Sequence, residues 1–470
     1  MATRITLKAN PGYPEELTLS TTSETPEIPK KVQNRSKHVL VIGGGVSGLM
    51  TAWILLDKGY RVTIVSKEWA SLAKPLTSQI AGALWEYPPG GCGITEIETP
   101  LFGYSTLEQY REWTMQSFEF YQMMADRDEL MGDGLERTSG AGKFGVKMKT
   151  LFQFFQRPIE DESRVHGRDD RHYDKYFEMK TLDESVDSPF RGQLKVKYHC
   201  MADVNGRRNV KSQGLADLVD PKRQFSVSCA YQHAAPMIDT DVAMAFLMRL
   251  VQSKGAVLET RQIRGDLHLH EQELLSEYNA DIIVNASGIG ARELATDPQI
   301  FPIRGAVRKI KRPEGYPVDH AFLLPAQMNQ DGSVSKTVFI VPRNDDTLVI
   351  GSITQRNNWQ LNLSLDSPEV KAMWERATEF LPVLKDADHE AQSLAQGLRP
   401  FSYLNIRVSA DSRANTCRIV HNYGHGGSGW TLAVGCARTC VRLVEEILDT
   451  ARSANAGVCR LQETGKYIHT

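Results

Sequence analysis

Val39-Leu40-Val41-Ile42-Gly43-Gly44-Gly45-Val46-Ser47-Gly48-Leu49-Met50 decides the architecture of this chain. Four apolar residues without a polar interruption predict a strand in a parallel sheet covered on both faces. The glycines at 43, 45 and 48 then have the spacing of a strand-to-helix turn that holds a pyrophosphate. In such a turn Gly43 permits the tight bend. Gly45 lets backbone approach the phosphates, and Gly48 lets the helix pack on the strand. The helix start, with Val46 and Ser47, faces the phosphates with unpaired N–H groups and the positive end of its dipole. Helical sequence runs to Lys58, and Gly59 stops it. Residues 61–65 form a second apolar strand, which completes a βαβ start. An acidic residue about 20 positions further on is expected to hold the ribose hydroxyls, and Glu68 stands there. By itself the turn fits NAD as well as FAD.

Working outward, 470 residues suffice for two or three domains or a nested pair. Hydrophobic residues at 41% and charged residues at 24% describe an ordinary globular enzyme. A formal net charge of −2 gives no reason to expect nucleic acid or an acidic membrane as partner. The seven cysteines are an odd number without CxxC spacing, which argues against a disulfide framework and for a reducing compartment. The uncharged run 39–56 is at the short end for a membrane span and is broken by three glycines, so a strand and a buried helix explain it better. Residues 1–36 are polar and carry no secretory signal, and they read as a poorly ordered leader. Ile468-His469-Thr470 does not match a Ser-Lys-Leu address. The expected location is intracellular, cytoplasmic or peroxisomal, and a homodimer is compatible with the sequence.

The pattern along the chain alternates between two kinds of sequence. Nucleotide-domain sequence occupies 37–135, 236–305 and 411–450. Substrate-domain sequence occupies 136–235, with a charged and solvated insertion at 139–215, and 306–410, where residues 337–341 and 347–350 predict an antiparallel pair. A tail covers 451–470. A helix is expected at 105–124. Another is expected from Thr240 or Asp241 to Lys254, with Val242, Phe246, Leu247 and Leu250 on its buried stripe. His268 and His270 read as one face of a solvated strand, and no metal site is expected.

Two further stretches carry chemistry. In Thr77-Ser78-Gln79-Ile80-Ala81-Gly82-Ala83-Leu84-Trp85, hydroxyls that can bond phosphate or ribityl oxygens precede small residues that let backbone approach a flat ring. In His421-Asn422-Tyr423-Gly424-His425-Gly426-Gly427-Ser428-Gly429-Trp430-Thr431, a glycine run opens a helix whose N-terminus stabilises negative charge.

Together these stretches resemble the D-amino-acid oxidase family of FAD enzymes, which includes D-aspartate oxidase. The match extends to Ile283-Val284-Asn285-Ala286-Ser287-Gly288, Ile303-Arg304-Gly305, Gly351 with Asn358-Trp359, Gly397-Leu398-Arg399-Pro400, and Gly435 with Ala437. It covers residues 38–135 and 225–450. The resemblance implies a discontinuous Rossmann-type α/β domain for FAD with an interleaved antiparallel substrate domain. It implies FAD contacts from Gly43, Gly45, Val46, Ser47, Gly48, Glu68, Thr77, Ser78, Gly82, Ala83 and Leu84. Further along the chain it adds Ile263, Ser287, Gly288, Gly427, Ser428, Gly429, Trp430 and Thr431.

The implied reaction passes a hydride from the α-carbon of a D-amino acid to flavin. O2 takes the electrons and becomes hydrogen peroxide. The imine hydrolyses to a 2-oxo acid and ammonia. The carboxylate-binding arginine is expected at Arg407, eight after Arg399. Glu86, His233 and Ser428 complete the expected catalytic pocket. The family's carboxylate-binding tyrosine falls at Ala243 when aligned through Tyr231-Gln232-His233, which implies a roomier pocket. The alternatives are a tailoring oxidase of the same fold acting on a larger amine or cyclic imine, and a flavin-binding protein without catalysis.

Overall fold

The computed structural model describes residues 37–87, 103–131, 142–156, 175–200, 213–317, 319–324, 337–388, 393–414 and 416–464. The leader and the charged runs 160–164 and 168–171 lie outside the described residues. The first strands are β1 (His38–Ile42), β2 (Arg61–Ser66), β3 (Val146–Phe155), β4 (Lys197–Cys200) and β5 (Cys229–Ile238). Then come β6 (Val257–Thr260), β7 (Ile282–Asn285), β8 (Ile300–Lys311), β9 (His320–Leu324) and β10 (Val338–Pro342). The last are β11 (Thr347–Gly351), β12 (Gln355–Arg356), β13 (Ser393–Ser402), β14 (Arg407–Ala410) and β15 (Ile419–Tyr423). The helices used below are α1 (Val46–Asp57), α2 (Thr77–Ile80), α3 (Leu107–Met131), α4 (Lys175–Glu184), α5 (Thr240–Ser253), α6 (Glu271–Glu277), α7 (Pro368–Phe380) and α8 (Gly429–Thr464).

One sheet has the order β14-β15-β7-β1-β2-β6 and is parallel except for β14, which runs antiparallel to β15. β1 is buried along its whole length because both faces are covered. Val39 and Val41 enter one core cluster with Val62, Ile64, Ile282 and Val284. Leu40 and Ile42 enter another with Val65 and Ile283. That alternation is the period of two of a strand, doubled by a layer on each side. The second sheet runs β12-β8-β11-β10-β9-β3-β5-β4, with β13 paired along β8. Its pairs are antiparallel except β3 with β9. The expected pair at 337–341 and 347–350 is present as β10 and β11, with Phe339 opposite Gly351.

Several expectations need correction. The stretch 139–215 is not a solvated insertion throughout. β3 is an interior strand with Leu151, Phe152, Phe154 and Phe155 buried, and α4 buries Met179 and Leu182. The lysines at 147 and 149 mask its apolar half in the sequence. Lys149 is buried and pairs with Asp345 at 3.3 Å. Helix α5 is capped by Asp239, whose Oδ1 accepts from the Asp241 and Val242 N–H groups, and Val242 is exposed rather than on the buried stripe. His268 lies in a turn and His270 caps α6, so neither is on a strand.

The layer behind the nucleotide sheet is built by α1, α3 and α8. Trp113 of α3 donates its indole N–H to Thr439 Oγ1 at 2.8 Å. The two helices touch so closely that a Cβ on Gly435 would overlap the Trp113 backbone. Alanine there would gain about 1 kcal/mol of helix propensity. It would also force apart two backbones that have no flexible atom to yield, at roughly 1–3 kcal/mol or more. Gly435→Ala is therefore expected to lower the free energy of unfolding, read as a reduced urea midpoint with an unchanged m-value.

Candidate active site

The turn after β1 leaves no space for side chains at two of its three glycines. A Cβ on Gly43 (φ +123°) would overlap the Ala286 carbonyl at the end of β7, and one on Gly48 would overlap the Gly43 carbonyl. At Gly45 a Cβ would meet only Ser78 Oγ, at 3.2 Å, so that face is open toward the cavity. The first and last glycines pack, and the middle one clears an approach. Gly44, not singled out in the sequence, lies under the Trp69 ring.

The Thr77–Leu84 segment joins both glycine-rich turns. Ser78 Oγ accepts from the Val46 N–H at 3.2 Å, and the Ser78 carbonyl accepts from the Trp430 indole N–H at 2.8 Å. Buried Arg343, from the β10–β11 turn, donates to Thr240 Oγ1 and to the Ala81 carbonyl, the latter at 2.8 Å. Asn344 beside it donates to Asp239 at 2.9 Å. This clamp holds the small-residue segment between the two sheets. In the sequence Arg343 and Asn344 fall between the strands expected at 337–341 and 347–350, and nothing there signals this role.

These elements enclose a cavity of about 1070 Å³. Gly43, Gly45, Val46, Ser47 and Glu68 line it, as do Thr77, Ser78, Gly82, Ala83 and Leu84. From more distant segments come Ile263, Ser287, Gly288, Gly427, Ser428, Gly429, Trp430 and Thr431, together with the buried Glu86. Gly48 does not line it and acts through packing. Glu68 is paired with Lys74 at 2.6 Å, and that hydrogen bond holds its carboxyl below the usual range.

Two expected catalytic residues lie elsewhere. Arg407 does not line the cavity, because β14 belongs to the nucleotide sheet and not to the substrate sheet. Its guanidinium donates to Tyr423 Oη at 2.9 Å, lies 3.8 Å from Asp297 and covers the Tyr104 ring. His233 packs among Tyr231 and Trp85, with Nδ1 on the Ala234 carbonyl at 2.8 Å, also outside the cavity. Ala243 is buried in the core of α5 and does not line it either.

Arg399 and Phe339 occupy the cavity wall instead. A Cβ on Gly305 would overlap the Arg399 guanidinium, so the bare glycine makes the seat for it. Arg399 Nη1 donates to the Ile353 carbonyl at 2.9 Å, and among the described residues no carboxylate lies within ion-pair distance of it. The Phe339 ring fills the space that a Cβ on Gly82 would need. Arg399 stood in a quoted motif, but the sequence reading gave it no role and placed the carboxylate-binding arginine at Arg407.

The cavity also has unsatisfied buried polar atoms, which a bound polar molecule would satisfy. Among the described residues His425 Nε2 and Asn422 Oδ1 have no hydrogen-bond partner, and both residues line the cavity. Burial lowers the His425 pKa to about 4, so its imidazole is neutral at physiological pH. A dinucleotide fits this set: a bare glycine approach, hydroxyls at Ser47, Thr77 and Ser78, neutral His425, and two helix starts.

Behind Ser287 runs a buried chain of hydrogen bonds with a fixed polarity. Asp411, held by Arg413 at 2.5 Å, can only accept, so His421 Nε2 at 3.2 Å donates to it. His421 Nδ1 is then an acceptor for the Asn285 amide at 3.4 Å. That leaves Asn285 Oδ1 to accept from the Ser287 hydroxyl at 2.6 Å and from its N–H at 3.3 Å. Nearby, ligand atoms of His268, Asp411 and Cys417 come within 4.8 Å of one another. Asp411 is already engaged, and burial with the adjacent Glu271 carboxylate pushes the Cys417 thiol up to about 12.

Residues 38–443 match the family model described as FAD dependent oxidoreductase, the D-amino-acid oxidase family model, and the chain belongs to that family. It is 32% identical over 411 residues to the D-amino-acid oxidase of Rubrobacter xylanophilus, covering 86% of this chain and 95% of that protein. It is 25% identical over 410 residues to the D-amino-acid oxidase of Streptomyces coelicolor, covering 87% and 97%. Among solved structures, glycine oxidase from Geobacillus kaustophilus superposes with a TM-score of 0.60 at 18% identity, covering 87% of this chain and 95% of that one. The chain is thus an FAD-dependent oxidoreductase with the glycine-oxidase fold. Among the described residues no helix is long and apolar enough to cross a membrane.

Two measurements probe this architecture. Asn285→Ala frees the Ser287 hydroxyl and orphans His421 Nδ1, at about 1–3 kcal/mol. FAD is expected to bind the FAD-free protein about tenfold more weakly or worse, read by flavin fluorescence on titration. His425 has a folded pKa of about 4 against 6.5 when unfolded, so the unfolded state takes the proton first. Its contribution to stability is complete above pH 6.5 and is lost as pH falls toward about 4. In His425→Asn this part of the stability decline of the FAD-free protein should flatten, as measured by urea unfolding at stepped pH.

Proposed function

We propose that this protein oxidises D-amino acids with O2, releasing hydrogen peroxide, ammonia and a 2-oxo acid. The observation that carries the reading is Arg399, seated over Gly305 on the cavity wall without a carboxylate partner among the described residues. A guanidinium so placed offers a planar fork to a substrate carboxylate. The similarity to D-amino-acid oxidases over nearly the whole chain supports the D configuration.

FAD, when bound, supplies the two-electron acceptor for the α-hydride. The other roles belong to the chain. Gly43, Gly45, Val46, Ser47 and Ser78 would hold the pyrophosphate, with Glu68 at the ribose. Gly82, Ala83 and Leu84 would back the ring system. The approach to α8 at Gly427 and Ser428 and its first residues, Gly429 to Thr431, set the positive end of a long helix at the cavity, where negative charge is favoured. Phe339 gives an apolar wall without a hydroxyl. Glu86 adds a buried carboxylate to the same cavity.

The balance is that of an amine oxidation. The substrate loses a hydride from Cα and a proton from nitrogen, giving an imine. O2 receives two electrons and two protons. Water then adds to the imine and ammonia leaves. A substrate bound with a neutral amine needs no general base, in keeping with His233 lying outside the cavity.

Anaerobic mixing of the yellow holoenzyme with D-amino acids is expected to bleach the flavin, and air is expected to restore it with peroxide release. Bleaching by L-amino acids alone, or by no amine, would refute the reading. Arg399→Leu is expected to lower kcat/KM by roughly 10²–10³-fold through loss of a charged anchor, with FAD still bound. Arg407→Gln should leave kcat/KM within about threefold, since its partners are structural.

A further inference from the structure

Residues 357–365, Asn-Asn-Trp-Gln-Leu-Asn-Leu-Ser-Leu, contain no charged side chain. Two large apolar members, Trp359 and Leu361, line the cavity and are 52% and 50% exposed. Exposed apolar residues are common when scattered, but a pair at the edge of a cavity marks a surface that a ligand covers. The fold also spends buried polar groups to hold this pair in place. Arg304 donates to the Gln360 carbonyl at 3.1 Å, to Asn362 Oδ1 at 2.6 Å and to Gln355 Oε1 at 2.6 Å. Gln396 uses both ends of its amide on the Leu363 backbone, each at 3.0 Å. Leu363 itself is buried with Ala306, Ile353, Val370 and Met373. The segment is thus fixed on both sides of Leu361, and Trp359 and Leu361 are not free to fold inward.

The segment belongs to the substrate sheet: it follows β12, which pairs with β8 at Ile303 and Arg304, and it is held to Gln396 and Leu394 of β13, the strand that carries Arg399. The flanking cation is also occupied, because Arg356 stacks over Phe301 at 5.0 Å and Tyr403 at 5.1 Å. We infer that Trp359 and Leu361 form an apolar lip that selects amino-acid substrates with a long, uncharged, apolar substituent reaching the cavity mouth. This rests on the oxidase reading above. The amino-acid end sits at Arg399, and the substituent covers the lip. Acidic and basic side chains gain nothing there, because the lip offers them no opposite charge.

Steady-state oxidation by the holoenzyme is compared for D-alanine, D-aspartate, D-lysine, D-phenylalanine, D-homophenylalanine and S-benzyl-D-cysteine. Each buried methylene strengthens binding about fourfold, so kcat/KM should rise at least about tenfold from D-alanine to the two longest substrates. Trp359→Ala and Leu361→Ala should lower kcat/KM for D-homophenylalanine about tenfold more than for D-alanine, chiefly through KM. A measurement independent of turnover and of the variants is the perturbation of flavin absorbance by 4-phenylbutanoate, which should bind at least about tenfold more tightly than acetate. Preference for D-alanine, D-aspartate or D-lysine, or equal affinity for the two carboxylates, would overturn the inference while leaving the oxidase reading intact. Failure of every amine to bleach the flavin would remove both.

Discussion

Two absent carbon atoms govern the nucleotide half of this protein. With no Cβ at Gly43, the end of β1 can lie against the Ala286 carbonyl of β7, and with none at Gly48, α1 can start directly beneath the turn. The close approach brings the first turn of α1 within reach of Ser78, and Ser78 in turn reaches Trp430 at the start of α8. Segments nearly 400 residues apart in the chain thereby share one cavity. A side chain at either glycine would push α1 off the sheet, and the hydrogen bonds downstream depend on that contact.

The same steric device recurs around the cavity. Gly82 makes room for Phe339, Gly305 for the Arg399 guanidinium, and Gly426 (φ +54°) for the Phe401 ring. Each glycine accepts a large side chain from another element. The Gly426 N–H also donates to the Pro400 carbonyl at 2.8 Å, so the start of α8 is tied to the strand that carries Arg399. Charge follows the same division. The N-terminus of α8 meets the cavity on one side and the Arg399 guanidinium stands on its wall on another, so the cavity offers two positive elements to anionic groups.

Much of this was legible in the sequence because the signals are local. An uninterrupted apolar strand, a glycine turn and a helix with a glycine stop are contiguous, and their physics is set within a few residues. The two other glycine- and hydroxyl-rich stretches, whose residues line the cavity, are likewise contiguous in the chain. The rest of the pocket was not legible. Arg399 and Arg407 are eight positions apart, and both fit a planar anion. Between them the chain leaves β13 in the substrate sheet and enters β14 in the nucleotide sheet, so one guanidinium faces the cavity and the other faces Asp297 and Tyr423. Strand pairing is non-local, and no spacing rule reports it. The 146–155 strand was missed for a related reason, since it lies in a stretch read as charged and solvated, and its lysines find their partner in Asp345 of the distant β10–β11 turn.

The chain's order of residues already specified a dinucleotide-binding turn, because the residues that form it are adjacent and their backbone requirements are intrinsic, and the resemblance carried by three such stretches pointed to FAD and the family. Which arginine, which aromatic ring and which apolar residues line the cavity emerged from the folded chain alone. Those choices depend on how two sheets assembled from interleaved segments are stacked, and on which side chains the glycines between them leave room for.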